Sequence, residues 1–547
     1  MPQKNDFEVI VIGGGITGAA IARDSAMRGL STLLLEKKDF ACGTTGACTG
    51  MIHGGMQYVL SEFEMTELSC IESGIFQKEA PHLIFRIPSL RPFFTSLEDS
   101  NPFGNIYEAY DKVGVHKNSH PHVTLSAKEA LELEPSLSPQ IQGAVSGDEP
   151  GIDTFRLNMI NILAAAENGA TIRNHAQVID ILRVNDRVYG VRVRDTLTGE
   201  EQDYHADIVV NAAGPWTPWV AALAEVPFRL RPIKGSHVVL DRRITNYGIG
   251  GATATLLPHE NGMIIGIANA FYFQNPDEVV ANENEVEELI SGMEKVLPSI
   301  RQARAIRTYS GVRPTLPDEK SKDQRAVSRN YKIFDHEELE GIKGFVTIAG
   351  GKMVIARKMA EDLTDLLCKK LGTDIPCRTK DVALPGGERL VDITELADEY
   401  GVPLHAVARM VHRHGARAEQ ILDDVRNEPK HRAHVCLCEP VTEAEIRYSI
   451  RNEWVRTLDD LRRRVRMGMG PCQGTHCVSV AEGILMDELK RPSAKAHRDV
   501  LDFQQKRWRS RQPGLSGTQL RQEELLRACY LGLGNYHNPE LEKTSRW

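Results

Sequence analysis

Three groups of side chains in this chain have the types and spacing to do chemistry. The first is a cysteine quartet. Cys436 and Cys438 form a C-x-C pair and Cys472 and Cys477 a C-x4-C pair, whereas the other six cysteines are scattered. In a reducing compartment a tight quartet reads as ligation rather than as disulfides. Four thiolates in two close pairs can surround a tetrahedral metal ion or a [2Fe–2S] cluster. Structural zinc usually sits in C-x2-C knuckles, which a C-x-C pair fits poorly, so the cluster is the preferred reading; zinc and a set of free thiols are the alternatives.

The second group is His237 in IKGSHVVLD, Arg313 in YSGVRP and Lys352 in GGKMVIARKMAE. Cations gathered over a redox cofactor suit an anionic substrate, because oxidising an alcohol C–H needs the substrate oriented and its developing alkoxide stabilised. A strand histidine is more often structural than catalytic, and isolated cations are ordinarily surface charges. Lys352 is set apart by Gly350 and Gly351, which place it beside a strand-to-helix turn whose helix N-terminus can face cofactor oxygens.

The third group is glycine. Gly13, Gly15 and Gly18 in VIVIGGGITG keep the G-x-G-x-x-G register, and Glu36 ends the next apolar run, STLLLE. Gly13 permits the tight turn, Gly15 lets backbone approach a pyrophosphate, Gly18 lets helix lie close to sheet, and Glu36 can accept from a ribose hydroxyl pair. Strand, glycines, small-residue helix, second strand and acid arrive in order, which is far more specific than a lone glycine pattern. The glycine-rich stretch from 41 to 60 would let backbone come close to a flat ligand, here read as a flavin ring and its ribityl chain.

These groups need a scaffold, and the chain supplies one in order. From Phe7 to about Pro385 it reads as one large α/β unit, with strand-like runs at 191–194, 206–214, 236–241, 262–268 and 344–351 and an amphipathic helix between 279 and 297. The expected organisation is a cofactor and substrate unit over 1–385, a helical cap or linker over 386–430, a cysteine domain over 431–489 and a basic tail over 490–547. The tail holds twelve Lys or Arg against six acids and is expected to be loosely packed or to dock a partner. Arg462, Arg463, Arg464 and Arg466, just before the second cysteine pair, could offset a cluster's charge, face a redox partner, or form a solvated helix face.

Bulk composition narrows the function classes. At 547 residues, 41% hydrophobic and 26% charged, with a mean hydropathy of −0.31, the chain has the composition of a globular protein too large for one core. A net charge of −8 argues against general nucleic-acid binding. No apolar run approaches the roughly 18 to 20 residues of a membrane span, and no signal peptide is expected. The expected location is cytoplasmic, with any contact at the inner membrane made through a partner.

Taken together, GGGITGAAIARDSAMRGL, IHGGMQY, RPIKGSHVVL, YSGVRP, SRNYKIFDH and GGKMVIARKMAE resemble the FAD-dependent glycerol-3-phosphate dehydrogenases, over about residues 7 to 430 and in that family's order. The resemblance implies a D-amino-acid-oxidase-like FAD-binding α/β fold with an inserted substrate sheet. It also implies oxidation of sn-glycerol 3-phosphate to dihydroxyacetone phosphate. It makes His237 and Arg313 the residues beside the substrate C2 and flavin N5, with His237 the candidate base. His53, Gln57, Tyr58, Arg329 and Lys352 become the substrate contacts, Arg329 and Lys352 as phosphate ligands. The implied FAD contacts are Gly13, Gly15, Gly18, Glu36, Thr44, Thr45, Gly46, Val178, Ala213, Gly214, Gly350, Gly351, Lys352 and Met353. The segment 434–486 is similar to the bacterioferritin-associated ferredoxin module, in the form fused to anaerobic glycerol-3-phosphate dehydrogenase large subunits. That likeness implies a [2Fe–2S] cluster on Cys436, Cys438, Cys472 and Cys477, with electrons leaving to partner subunits and quinone.

Two positions depart from the family's pattern: Gln57 stands where an arginine is usual, and Ala356 where an aromatic residue is usual. A neutral amide cannot make the bidentate charged contact with a phosphate. A same-fold dehydrogenase acting on a 2-hydroxy acid is therefore one alternative. A non-catalytic protein carrying FAD and cluster for electron transfer is another.

Overall fold

The computed structural model describes residues 6–95, 104–317 and 330–533. The strand Asp6–Ile12 is built from β-branched residues, and its Val9, Ile10 and Val11 are fully buried, as a central parallel strand covered on both faces requires. It pairs in parallel with Thr32–Leu35 on one side and Glu201–Asn211 on the other. The sheet continues through Phe345–Gly350 to Tyr331–Asp335 at one edge and Thr171–Arg173 at the other, and a hairpin of Ala176–Val184 and Arg187–Asp195 brings it to eight strands. The helices Ile16–Met27, Thr154–Glu167 and Ala356–Leu371 pack on it around a core that includes Val9, Ala19, Leu157, Val210 and Leu363.

A second eight-stranded sheet, inserted between the strands of the first, runs in the order Ala305–Arg313, Ile233–Leu240, Gly262–Phe271, Thr255–His259, Gly248–Gly250, Ile84–Phe93, Gly143–Ile152, Val123–Ser126. The expected strands and the helix near 279–297 are in place; the helix spans Glu283–Glu294 and starts with a capping box between Asn282 and Glu285. The long pair Ile84–Phe93 and Gly143–Ile152 was not anticipated, because IFRIPSLRPF carries two prolines and GAVSGDEPGI reads as a loop. Tertiary pairing overrides both signals: the two strands match over their whole length, from Ile84 opposite Ile152 to Phe93 opposite Gly143.

From 386 to 533 the chain is mainly helical, with one short hairpin of His434–Cys436 and Val441–Thr442. Ile393–Tyr400, Leu404–His414 and Ala418–Asn427 enclose their own apolar core, with Gly401 and Gly415 in left-handed conformations at the breaks. The cysteine segment folds around Glu443–Asn452, Leu458–Val465 and Val478–Leu489. The tail departs from expectation: Ser493–Arg511 and Thr518–Leu533 are helices that fold back on the protein. Phe503 enters the cysteine-domain core, Thr308 of the inserted sheet donates to the Ser510 carbonyl at 2.9 Å, and Arg507 and Arg511 both pair with the buried Glu523. Among the described residues no helix is long and apolar enough to cross a membrane.

Candidate active site

One continuous cavity of about 1470 Å³ lies between the two sheets, and most of the expected residues line it. At one end Gly13 holds φ +116°, and a Cβ there would stand 2.5 Å from the Ala212 carbonyl oxygen; only glycine makes this turn. A Cβ on Gly18 would fall 1.8 Å from the Gly13 oxygen, so Gly18 serves helix-to-sheet contact and lies off the cavity wall. The Ile16 N–H at the helix start donates to Thr45 Oγ1 at 3.0 Å, tying the glycine loop to the segment that follows the second strand. Glu36 lines the cavity, with one carboxylate oxygen accepting from Gly14 N–H at 2.7 Å and the other from Lys38 N–H at 2.9 Å. Burial pushes its pKa up against those two bonds. Each oxygen keeps a lone pair for a ribose hydroxyl.

Thr44, Thr45, Val178, Ala213, Gly214, Gly350, Gly351 and Met353 also line the cavity. Gly46 does not; a Cβ there would strike the Ala41 carbonyl and the Phe155 ring, so its role is close packing. The mouth is crossed by Asp277, which binds Lys37 Nζ at 2.7 Å and Lys38 Nζ at 2.8 Å and accepts from Trp216 Nε1 at 3.2 Å. Lys37 Nζ sits 4.1 Å from the Trp216 ring centroid.

At the other end Arg313, Lys352, His53, Gln57 and Tyr58 come together on the wall. Arg313 Nη1 donates to Asn269 Oδ1 at 2.6 Å, and Lys352 Nζ reaches Ser69 Oγ at 3.2 Å and the Gly54 carbonyl at 3.4 Å. His237 departs from expectation: it is 1% exposed and absent from the wall, its ring stacked on Tyr309 at 4.6 Å and packed beneath Gly266. Burial and the Arg313 charge lower its pKa to about 3, so the ring is neutral. The wall carries His53 instead, whose pKa is also lowered, first by burial. Arg329 lies outside the described residues. Ala356 is fully buried in the core of the first sheet.

Several wall residues escaped the sequence reading. Asn269 orients Arg313, and Tyr110 and Lys117 bracket Glu149, all lining the cavity. Only Asn269 had a signal, as a polar residue ending the apolar run GMIIGIA. The others come from segments that read as helix or loop and are brought to the wall by the unanticipated strand pair.

In the cysteine domain the thiols meet as two pairs: Cys436 with Cys477, and Cys438 with Cys472. Cys436 accepts from Cys477 and from the Gly468 and Glu439 backbone N–H groups, which hold it below the usual thiol value. Cys438 takes the Cys472 N–H. Backbone N–H groups aimed at sulfur favour its thiolate form. In the arrangement seen here, no group of three or more His, Cys, Asp or Glu side chains among the described residues could hold a metal ion.

The arginines ahead of Cys472 are neither a solvated face nor a partner surface. Arg463 Nε and both Arg464 Nη atoms bind Asp39, in the loop after Glu36, at 2.6, 2.9 and 2.7 Å, and Arg466 binds Asp153, the N-cap of Thr154–Glu167, at 3.1 Å. Glu453 of the cysteine domain takes both Arg156 Nη atoms at 3.0 Å. A smaller cavity between the domains is walled by Cys48 and Tyr309 on one side and Met469, Gly470 and Pro471 on the other.

Residues 8–357 match the family described as FAD dependent oxidoreductase, and residues 377–496 the C-terminal domain of alpha-glycerophosphate oxidase. The chain is 37% identical over 538 residues to one of the subunits of the anaerobic glycerol-3-phosphate dehydrogenase of Escherichia coli K12, covering 97% of each. It is 34% identical to a subunit of the anaerobic glycerol-3-phosphate dehydrogenase of Haloferax volcanii, covering 96% of this chain and 90% of that one. Among solved structures, the glycerol-3-phosphate dehydrogenase of Bacillus halodurans complexed with FAD superposes with a TM-score of 0.75 at 23% identity, covering 94% of this chain and 97% of that one. A glycine-lined cavity between two sheets, two family matches and relatives alike along nearly their whole length lead to one conclusion: the chain belongs to the FAD-dependent oxidoreductases, in the family of the glycerol-3-phosphate dehydrogenases.

Proposed function

We propose that this chain oxidises sn-glycerol 3-phosphate to dihydroxyacetone phosphate with FAD and passes the electrons through a [2Fe–2S] cluster to a partner subunit, then on to quinone. The observation that carries the reading is the single cavity joining the dinucleotide glycines to His53, Arg313 and Lys352. When bound there, FAD supplies a two-electron acceptor for the hydride from the substrate C2. Gly13, Gly15 and the N-terminus of Ile16–Met27 would hold its pyrophosphate, with Asp277 on the same cavity wall.

Lys352 and Arg313 draw in the anionic substrate and stabilise the developing oxyanion. His53, neutral and on the wall, takes the C2 hydroxyl proton; it replaces His237 in that role because His237 does not reach the cavity. Cys436, Cys438, Cys472 and Cys477 would hold the cluster, which would supply a one-electron acceptor. Through its partner the complex works at the cytoplasmic face of the membrane.

Gln57 on the cavity wall gives a second reading weight: the same chemistry on a 2-hydroxy acid, whose carboxylate needs no arginine at that position. Arg313 on the wall argues against a chain that merely carries cofactors. Anaerobic rapid mixing separates the two substrate readings. FAD should bleach with sn-glycerol 3-phosphate and stay oxidised with lactate and related 2-hydroxy acids; bleaching by a hydroxy acid alone rejects the phosphate ester.

A further inference from the structure

Behind His53 lies a set of groups that the reaction above leaves unused. Met51 bridges Gly151 in antiparallel register, Ile52 N–H donates to the Pro150 carbonyl at 3.1 Å, and Ile152 N–H to that of Gly50 at 2.8 Å. The bridge ends there, and beyond it the side chains of His53 and Glu149 both line the cavity, close enough for the carboxylate charge to act on the ring.

Glu149 is itself held on two sides. The buried Tyr110 donates its hydroxyl to Oε1 at 2.6 Å, and Lys117, whose side chain is fully buried, meets Oε2 at 3.0 Å. The same Tyr110 oxygen accepts the Gly54 N–H at 3.1 Å, while Lys352 Nζ takes the Gly54 carbonyl at 3.4 Å, so the residue after His53 is gripped through both its backbone polar groups. A Cβ on Gly54 would stand 2.8 Å from the Tyr110 oxygen, which makes glycine a condition of the grip.

We propose that Glu149 and Tyr110 are positioning residues for His53: Tyr110 fixes the His53–Gly54 turn, and the Glu149 carboxylate stabilises the imidazolium formed when His53 takes the substrate proton. The inference rests on His53 being the base. The logic is that of a carboxylate behind a catalytic histidine, linked here through the Tyr110 phenol to the backbone next to His53. The charges facing His53 are Glu149, which favours the protonated ring, and Lys352 and Lys117, which oppose it. Removing the Glu149 charge therefore lowers the pKa of His53.

The test is the pH profile of FAD bleaching by sn-glycerol 3-phosphate in the full-length holoenzyme, with FAD affinity measured alongside. Glu149→Gln should lower the limiting rate roughly 10- to 100-fold and move the acid limb to lower pH, with FAD affinity unchanged; Glu149→Asp should restore the limb. Tyr110→Phe, which leaves the Glu149–Lys117 pair in place, should lower the rate by about 10-fold without moving the limb. That variant decides the matter if Glu149→Gln does not fold. Wild-type rates and profiles in Glu149→Gln and Tyr110→Phe, with bleaching lost in His53→Gln, overturn this inference and leave His53 as base. Wild-type bleaching in His53→Gln overturns the base itself.

Discussion

The cavity between the sheets and the cysteine site are written in opposite ways. The cavity is made by what is missing: glycines at 13, 15, 350 and 351 leave room along its wall. The cysteine site is made by what is present: four thiols that hydrogen-bond in two pairs. A site for a large organic cofactor must be preformed because backbone cannot move aside. A metal site forms as its ligands lose protons and gather round the ion. The buried arginines from 463 to 466 tie the two together, so disturbing one side should reach the other.

The largest effect is expected at the glycine turn. Gly13→Ala places a Cβ 2.5 Å from a backbone oxygen at φ +116°. Loss of FAD should exceed about 100-fold in affinity, or about 3 kcal/mol, and the purified protein should be colourless in the flavin bands while its cysteine domain still loads iron. Retained flavin would refute the preformed cavity.

Next is the tie. Asp39→Ala takes the shared carboxylate from Arg464 and from Arg463, which keeps Asp459 and Asp460, and losing hydrogen bonds between charged groups costs about 1.5 to 3 kcal/mol. Thermal unfolding should show a lower Tm and early release of both FAD and iron; loss of only one would break the tie. Asp39 has its pKa lowered in the fold by the two arginines against the penalty of burial. Its contribution is therefore complete above the unfolded carboxylate value near 4 and is lost as pH falls below that toward the folded value.

How much of this was legible follows from the same contrast. The glycine fingerprint and Glu36 beside it could be read because each works through local backbone chemistry; the four cysteines gather, but across the sequence pairs, Cys436 with Cys477 and Cys438 with Cys472. Arg463, Arg464 and Arg466 could not, because in a sequence a run of arginines looks solvated and Asp39 is some 424 residues away. Glu149 was hidden for a related reason: its strand and the one facing it hold prolines, glycines and charges, and only long-range pairing makes them strands, while Tyr110 reaches it from the helix Gly104–Gly114. His237 shows the converse, since a motif places a residue on a strand but not at a depth.

A smaller effect is expected at the mouth. Asp277→Ala removes two half-exposed ion pairs and the Trp216 hydrogen bond. Exposed pairs contribute about 0.2 to 1 kcal/mol each, so FAD should leave roughly 2- to 10-fold faster, and less so at high salt. An unchanged release rate would show that the clasp does not hold the cofactor.

The most direct test of the central claim is freeze-quench EPR of the iron-loaded holoenzyme mixed anaerobically with sn-glycerol 3-phosphate, followed beside flavin absorbance. Flavin bleaching should come first, and the signal of a one-electron-reduced cluster should rise from it. In Cys472→Ser the bleaching should persist and the signal vanish. A cluster signal without prior flavin bleaching, or bleaching lost with the cysteine, would contradict the account.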